Sequence, residues 1–290
     1  MSLKGKTAIV TGYGGIGYEV ALALASLGAA VIVAGRDREK GEAAALKIAG
    51  ECAGAEVAFE PLDLFDPSSI RRFADRMIAS RGRIDMVLCI AGLMMPESLE
   101  LNRAGVERQF AVNYLGHYEL VGRLMPLLSG APDRRVVTVS SIANRPARFD
   151  LEDATAARGY DASISYALSK LCCLMYAVEL NRRFPDVTAC CVHPGLARTM
   201  LFGRSRGFAM GLLRAIFFVF PFIRQSARAA ARPALYAATS PDAVGGAYYG
   251  PMFTFMGPSR RALMPMRAKN AGLRAQLWEL SERLTGVNYG

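Results

Sequence analysis

At 290 residues, 52% of them hydrophobic and 21% charged, the chain is long enough to bury a full core as one α/β domain spanning 1–290, and length demands no second one. The net charge of +10 suggests nucleic acid as a partner. However, the arginines are scattered from Arg36 to Arg283 and no nucleic-acid-binding motif occurs, so none is expected. An anionic cofactor, an acidic partner or the surface of an anionic membrane fits the charge better.

Read along the chain, only five residues precede the first strand, which leaves no room for a signal peptide, and a cytoplasmic location is expected. Lys6–Thr11 is β-rich. It is followed by Gly12-Tyr13-Gly14-Gly15-Ile16-Gly17 and by an Ala- and Leu-rich helical stretch from Glu19 to Gly28. Strand, glycine turn and helix in that order let the backbone approach a pyrophosphate, and a helix N-terminus favours its negative charge. Further strands are predicted near 30–35, 56–60, 84–90, 134–140, 187–193 and 244–249, alternating with helical stretches. This predicts a doubly wound, seven-stranded parallel sheet with helices on both faces. Tyr166 and Lys170 stand four residues apart on a predicted helix, so phenol and ammonium share a face. A neighbouring cation lowers a phenol's pKa from about 10 and suits it to proton transfer near neutral pH. Six cysteines, among them the pairs Cys172-Cys173 and Cys190-Cys191, lie in apolar contexts without metal-ligand spacing and read as reduced core residues. The two histidines, His117 and His193, fall within a helix and at a strand end. They read as structural, and no metal is expected.

Thr11-Gly12 with Gly15-Ile16-Gly17, Asp63-Leu64, Ala91-Gly92, Asn113, Ser140-Ser141, Tyr166 with Lys170, and His193-Pro194-Gly195 with Thr199 occur in order. Together they resemble the short-chain dehydrogenase/reductase family over about residues 5–250. The phrases Val112–His117, Tyr166–Leu171 and Val192–Thr199 are most similar to its retinol-dehydrogenase-like branch. The resemblance implies an oxidoreductase interconverting a ketone or aldehyde and an alcohol. Tyr166 would be the general acid or base, and Lys170 would hold the phenolate and the nicotinamide ribose. Ser141 would hydrogen-bond the substrate oxygen, and Asn113 would anchor the helix and the water of the proton relay. It also implies that Gly12, Tyr13, Gly15, Ile16 and Gly17 cradle the pyrophosphate and that Asp63 and Leu64 edge the adenine. Ala91 and Gly92 would complete the cofactor pocket, with Pro194, Gly195, Leu196 and Thr199 lining the nicotinamide end. An acidic residue at the end of the second strand would bind the ribose hydroxyls and repel a 2′-phosphate. Here Gly35 takes that place and Arg36 follows, which favours NADP(H) over NAD(H) despite the neighbouring Asp37.

The sequence departs from the family pattern in two places. Only Tyr13 and Gly14 separate Thr11-Gly12 from Gly15-Ile16-Gly17, one residue fewer than usual, and Ile90 stands where asparagine usually precedes Ala-Gly. The gap from Ser141 to Tyr166 is long, and its insert, Phe149–Tyr160, would sit beside the substrate entrance. Phe208–Ile223 is apolar but interrupted by Arg214 and Pro221 and too short to span a bilayer. By resemblance it belongs to a substrate lid over about 199–232, which predicts a bulky hydrophobic small-molecule substrate of the retinoid, steroid, terpenoid or polyketide kind. Arg224, Arg228 and Arg232 leave a membrane-surface helix open as a second reading, hence peripheral membrane association. In a tail over about 258–290, a final helix around 268–284 carries Leu273, Leu277, Leu280 and Leu284 on one face, for docking to the body or to another subunit. The family resemblance is compatible with a homodimer or homotetramer. The other reading of the whole chain is a non-catalytic nucleotide-binding regulatory or scaffold protein with a modified glycine loop.

Overall fold

In the computed structural model, which describes residues 2–154, 159–195 and 225–289, the Val-, Ile- and Ala-rich runs are buried on both faces, as central strands under two helical layers must be. In chain order the first half holds β1 (Thr7–Thr11), α1 (Ile16–Ser26), β2 (Ala30–Gly35), α2 (Arg38–Glu51), β3 (Val57–Pro61), α3 (Pro67–Ser80) and β4 (Met86–Cys89). Next come α4 (Arg108–Phe110), a π-helical turn (Ala111–Leu115), α5 (Gly116–Ser129), β5 (Arg134–Val139), α6 (Ala162–Arg183) and β6 (Val187–Val192). The rest holds α7 (Ala227–Thr239), β7 (Tyr248–Pro251), β8 (Ser259–Arg261), α8 (Met266–Lys269) and α9 (Ala271–Thr285).

The sheet runs β3-β2-β1-β4-β5-β6-β7-β8. It is the doubly wound Rossmann-like arrangement, with one correction to the expected seven strands. The eighth, β8, turns back antiparallel on β7, pairing Tyr249 with Arg261 and Gly250 with Arg260. Its Ser-Arg-Arg sequence carries no β-type apolar run, because an edge strand of three residues needs neither face buried. Strand order reverses between β1 and β4, and the carboxyl ends of these two strands flank the crevice where open α/β sheets bind ligands.

On one face, Phe73 of α3, Leu120 and Leu124 of α5 and Leu171 and Leu174 of α6 form the larger core. On the other, Val20 and Leu24 of α1, Ile48 of α2 and Ala231 and Ala234 of α7 pack against the sheet. Among the described residues α6 alone is long and apolar enough to cross a bilayer, but it lies largely inside the protein. The expected lid falls mostly outside the described residues. Of its span, residues 227–232 form the first turns of α7, with Ala230 and Ala231 buried and Arg228 and Arg232 exposed.

The tail docks on the body. Asn270 caps α9 by accepting from Leu273 N–H at 3.1 Å, which divides the expected final helix into α8 and α9. Trp278 and Leu277 of α9 pack into a cluster with Tyr118, Tyr176 and Tyr289. The Tyr289 hydroxyl donates to Tyr118 O at 2.6 Å and meets Tyr176 Oη at 2.7 Å. Gly122 of α5 makes room for this segment, since a Cβ there would lie 2.6 Å from both Tyr289 and Val287. Beside the cluster, the buried Glu179 carboxylate takes Arg182, Arg183 and Arg274, binding α9 to α6. Burial alone would raise its pKa, but the three guanidinium groups hold it below the usual carboxylate range.

Candidate active site

The site begins where β1 ends. Gly12 turns with φ +89° and Gly15, with φ +53°, stands at the N-terminus of α1 with no side chain capping the helix. Orphan N–H groups at such a terminus need an anion or water. A Cβ on the buried Gly17 would collide with the Gly12 carbonyl oxygen, whereas one on Gly14 would meet open space. The loop thus leaves its backbone bare on one side and packs tightly on the other, which fits a pyrophosphate. A cleft of about 360 Å³ lined by Tyr13, Gly14, Gly15, Tyr18 and Glu19 opens there. A larger groove, of about 710 Å³, lies among Lys4–Thr7, Ala25–Ala30 and Glu51–Glu56, near the starts of β1 and β2 and away from these residues.

Two unusual features at the ends of β1 and β2 explain one another. Tyr13, in the shortened loop, lays its ring against Gly35, where any Cβ would collide with Cε1, and edges Phe59 with ring centroids 6.3 Å apart. Gly35 therefore stands at the end of β2 because the Tyr13 ring occupies the side-chain space. Arg36 is exposed, with no ion pair among the described residues. The Asp37 side chain caps α2 by accepting from Lys40 N–H at 3.0 Å and pairs with the Lys40 ammonium. Hydrogen bonds from Lys40 hold that carboxyl below its usual pKa. Asp63 accepts from Phe65 N–H through Oδ1 at 2.9 Å, leaving Oδ2 without a partner among the described residues. Leu64 is buried beneath it.

At the crossover, the Thr11 hydroxyl accepts the N–H groups of Ile90 and Ala91 at 2.9 and 3.0 Å. Ile90 keeps its apolar contacts here, and a threonine from the neighbouring strand ties down the turn. Thr11 Oγ1 also lies 2.9 Å from His117 Nε2, and His117 Nδ1 lies 3.1 Å from the Asn113 carbonyl oxygen. A carbonyl can only accept, so Nδ1 carries the proton. Burial pushes the His117 pKa down to about 4, so Nε2 is a bare acceptor for the Thr11 hydroxyl at neutral pH. Sequence reasoning named both residues but not the bond, because they are 106 positions apart.

Asn113 lies in the π-helical turn, a form frequent at functional sites. Its side chain accepts from Leu93 N–H at 2.8 Å and donates to Leu93 O and Ser169 Oγ, each at 3.0 Å. Its carbonyl oxygen also takes the Cys173 thiol at 3.1 Å. A Cβ on Gly92 would lie 3.0 Å from Asn113 Oδ1 and 3.3 Å from Lys170 Nζ, so glycine is what lets these groups converge. The buried Lys170 ammonium donates to Val139 O at 2.9 Å and lies 5.9 Å from the centre of the Tyr166 ring. The Tyr166 hydroxyl is bound by no described residue, and its side chain is half-buried on the first turns of α6.

Two adjacent serines end β5 with different surroundings. Ser140 is buried, donating to Lys170 O and accepting from Asn144 Nδ2 at 2.9 Å. Ser141 is half-exposed and accepts from Ala143 N–H at 3.3 Å, and its hydroxyl donates to no described residue. At the end of β6, Gly195 turns with φ +71°, and a Cβ there would lie 2.5 Å from Phe255 O. Gln225 Nε2 donates to Pro194 O at 3.2 Å and to Phe255 O. Leu196 and Thr199 lie outside the described residues. In the insert, the buried Ala154 O accepts Glu107 N–H at 2.9 Å, and Phe149 packs on the main core.

Five of the six cysteines are buried and all six are free thiols. Burial pushes the Cys190 thiol up to about 11. No cluster of metal-ligating side chains occurs among the described residues.

The chain is similar to known proteins over most of its length. A family model described as short chain dehydrogenase matches residues 6–207. Human (Homo sapiens) retinol dehydrogenase 13 is 36% identical over 297 aligned positions, covering 99% of this chain and 86% of that protein. Retinol dehydrogenase 12 of Mus musculus is 33% identical, covering 100% and 89%. A crystal structure of an uncharacterized protein from Mycobacterium Paratuberculosis superposes with a TM-score of 0.82 at 36% identity, covering 100% of this chain and 96% of that one. A short chain dehydrogenase from Shigella flexneri 2A str. 301, complexed with NADP, shares the fold at TM-score 0.66 and 23% identity over 86% of this chain and 97% of that one.

Proposed function

Because the chain belongs to the short chain dehydrogenase family, an oxidoreductase family, we propose that it is an NADP(H)-dependent enzyme interconverting a ketone or aldehyde and an alcohol on a bulky apolar molecule. The observation that carries this reading is the buried Lys170 ammonium beside the ring of Tyr166, whose hydroxyl is bound by no described residue, with the Ser141 hydroxyl just past the end of β5 donating to none of them. The likeness to retinol dehydrogenases supports an apolar alcohol or carbonyl substrate, with retinoid, steroid, terpenoid and polyketide-like compounds the classes to screen.

The nicotinamide supplies or accepts the hydride when bound. In the reductive direction Tyr166 gives its phenolic proton to the substrate oxygen as negative charge develops there, and in the oxidative direction it takes the proton back. The charge of Lys170 stabilises the phenolate left when Tyr166 gives up its proton. Ser141 donates its free proton to the same substrate oxygen and orients it. Asn113 acts through its bonds to Leu93 and Ser169, which hold the β4 exit loop and α6 in register. The Gly12–Gly17 loop and the uncapped end of α1 hold the pyrophosphate, Arg36 the 2′-phosphate, and Asp63 and Leu64 the adenine. Ala91, Gly92, Pro194 and Gly195 border the nicotinamide. The preference for NADP(H) over NAD(H) rests on Arg36 and on the turning of Asp37 toward Lys40. Under this reading the protein works in the cytoplasm.

The test is NADPH-dependent reduction of apolar aldehydes, retinal among them. Tyr166→Phe is expected to abolish turnover, by about 10³-fold or more, while NADPH binding by calorimetry is retained. Turnover that survives in Tyr166→Phe overturns the assignment. Failure of the unaltered protein to bind NADPH or NADH favours a regulatory or scaffold protein.

A further inference from the structure

Arginines run the length of this chain, but acidic residues do not. From Val187 to Trp278 the sequence holds twelve Lys and Arg residues against a single acidic one, Asp242, and the remainder of the chain is within one charge of neutrality. Elsewhere cations are matched, as in Lys6 with Asp133, Arg76 with Glu60 and Arg123 with Glu119. In the basic stretch, Arg260 and Arg261 of β8 and Arg267 and Lys269 of α8 are exposed and make no ion pair with any described residue.

The same stretch carries a concentration of exposed apolar side chains. Met252 and Phe255 are each 42% exposed, Phe253 65%, Leu263 85% and Met266 76%. Three of these sit on the tip of the β7–β8 hairpin, which its backbone holds through Met252 N–H to Pro258 O at 2.9 Å and Phe253 N–H to Met256 O at 3.1 Å. Thr254 at the tip has φ +66°. A β-branched residue adopts that conformation only at a cost, which marks this turn as held in one shape. Arg260 pairs with Gly250 and Arg261 with Tyr249, so both guanidinium groups start within about 10 Å of the turn along the strand.

We propose that this hairpin tip and the adjoining basic edge are a docking surface for an anionic phospholipid bilayer. Met252, Phe253 and Phe255 enter the headgroup layer while Arg260, Arg261, Arg267 and Lys269 meet lipid phosphates. Apolar tips beside cations that no described residue pairs suit a lipid interface, where both are satisfied together; an acidic protein surface would satisfy only the cations. The proposal deepens the reading of the site as one for apolar substrates and rests on that reading for its purpose. Gln225 ties Phe255 O to Pro194 O, so the docked tip adjoins the turn assigned to the nicotinamide end, and the bilayer is the source of the substrate.

Flotation of the full chain with phosphatidylcholine vesicles, with and without phosphatidylglycerol, tests this. Binding is expected only with phosphatidylglycerol, and it weakens as salt rises. The double variants Phe253→Ser/Phe255→Ser and Arg260→Glu/Arg261→Glu should each lose about tenfold or more in partitioning, with near-ultraviolet circular dichroism unchanged. No binding by the unaltered chain, or binding that both folded variants keep, overturns the proposal. So does binding to polyglutamate that equals vesicle binding and survives Phe253→Ser/Phe255→Ser, which identifies an acidic protein surface instead. The assay needs no cofactor or substrate. A chain that reduces a short, water-soluble aldehyde but ignores vesicles sinks this proposal alone, and one that binds vesicles but never turns over sinks the oxidoreductase reading alone.

Discussion

The imidazole of His117 and the hydroxyl of Thr11 lie 2.9 Å apart and complete a buried chain from the turn after β4 to the Asn113 carbonyl. Thr11 accepts two N–H groups and donates its one proton to His117, and His117 donates onward to Asn113. His117→Phe leaves the Thr11 hydroxyl and the Asn113 carbonyl short of partners. It is expected to cost about 2–4 kcal/mol in urea unfolding, with His117→Gln losing less. Acid should expose the same bond. The unfolded chain protonates this histidine below about pH 6.5, whereas the buried ring resists protonation down to about pH 4. Its contribution is therefore complete above the first pH and lost progressively on the way down to the second, by up to about 3 kcal/mol. The difference in stability between the native protein and His117→Gln, measured from pH 7 to 4, should shrink accordingly. A difference that stays constant would show that His117 takes up its proton at the same pH in the folded and unfolded chain.

Ser140 and Ser141 should separate cleanly. Ser141→Ala removes the free donor and is expected to lower kcat by about 10²-fold or more with little change in melting temperature. Ser140→Ala breaks the buried link between β5, Lys170 O and Asn144 and is expected to cost about 1–2 kcal/mol of stability. Steady-state kinetics and thermal melts on both variants decide, and the reverse pattern would exchange their roles.

Tyr13 and Gly35 should behave as a unit in cofactor binding. Gly35→Asp forces the ring away and places a carboxylate beside the phosphate site, so NADPH affinity is expected to fall by about 10²-fold. In Tyr13→Ala the same substitution meets no ring, and only its electrostatic part remains, favouring NADH. Calorimetric titration of the four proteins gives the coupling directly, and additive effects would deny it. Arg36→Ala alone is expected to weaken NADPH by about tenfold and leave NADH nearly unchanged.

Glu179 answers for the docking of α9. Glu179→Ala leaves Arg274, 8% exposed, without its partner, and a loss of about 3–5 kcal/mol is expected. Limited proteolysis should then cut near residue 270 before the body is attacked. Because the carboxylate titrates below its usual range, its contribution is complete above about pH 4.5 and lost as pH falls through the lowered value.

The parallel sheet and the glycine turn were legible because apolar runs and glycines act locally: predicted and observed strands differ by a few residues at most. Tyr166 and Lys170 were legible because four-residue spacing is itself geometry. Three features were not. The Thr11–His117 bond joins strands and helices distant in sequence, β8 has no hydrophobic pattern because it has no buried face, and Gly35 reads as a missing acid until Tyr13 is seen lying on it. The tail helix was visible as an apolar stripe, but its buried face also carries Arg274 and Ser281, residue types that a search for leucines passes over.

Tyr289 sets a condition on how this chain comes to be folded. Its hydroxyl reaches back 171 positions to the Tyr118 carbonyl, and Tyr114 waits 167 positions for Ser281. During synthesis, α5 and α6 are complete roughly one hundred residues before the segment that covers them emerges, an interval of about 5–20 s at ordinary rates of elongation. Through that interval a row of aromatic rings faces solvent with its hydrogen bonds unmade. The nascent chain is therefore most exposed to aggregation in the interval before α9 and Tyr289 emerge, and the cooperative closing of this face awaits them.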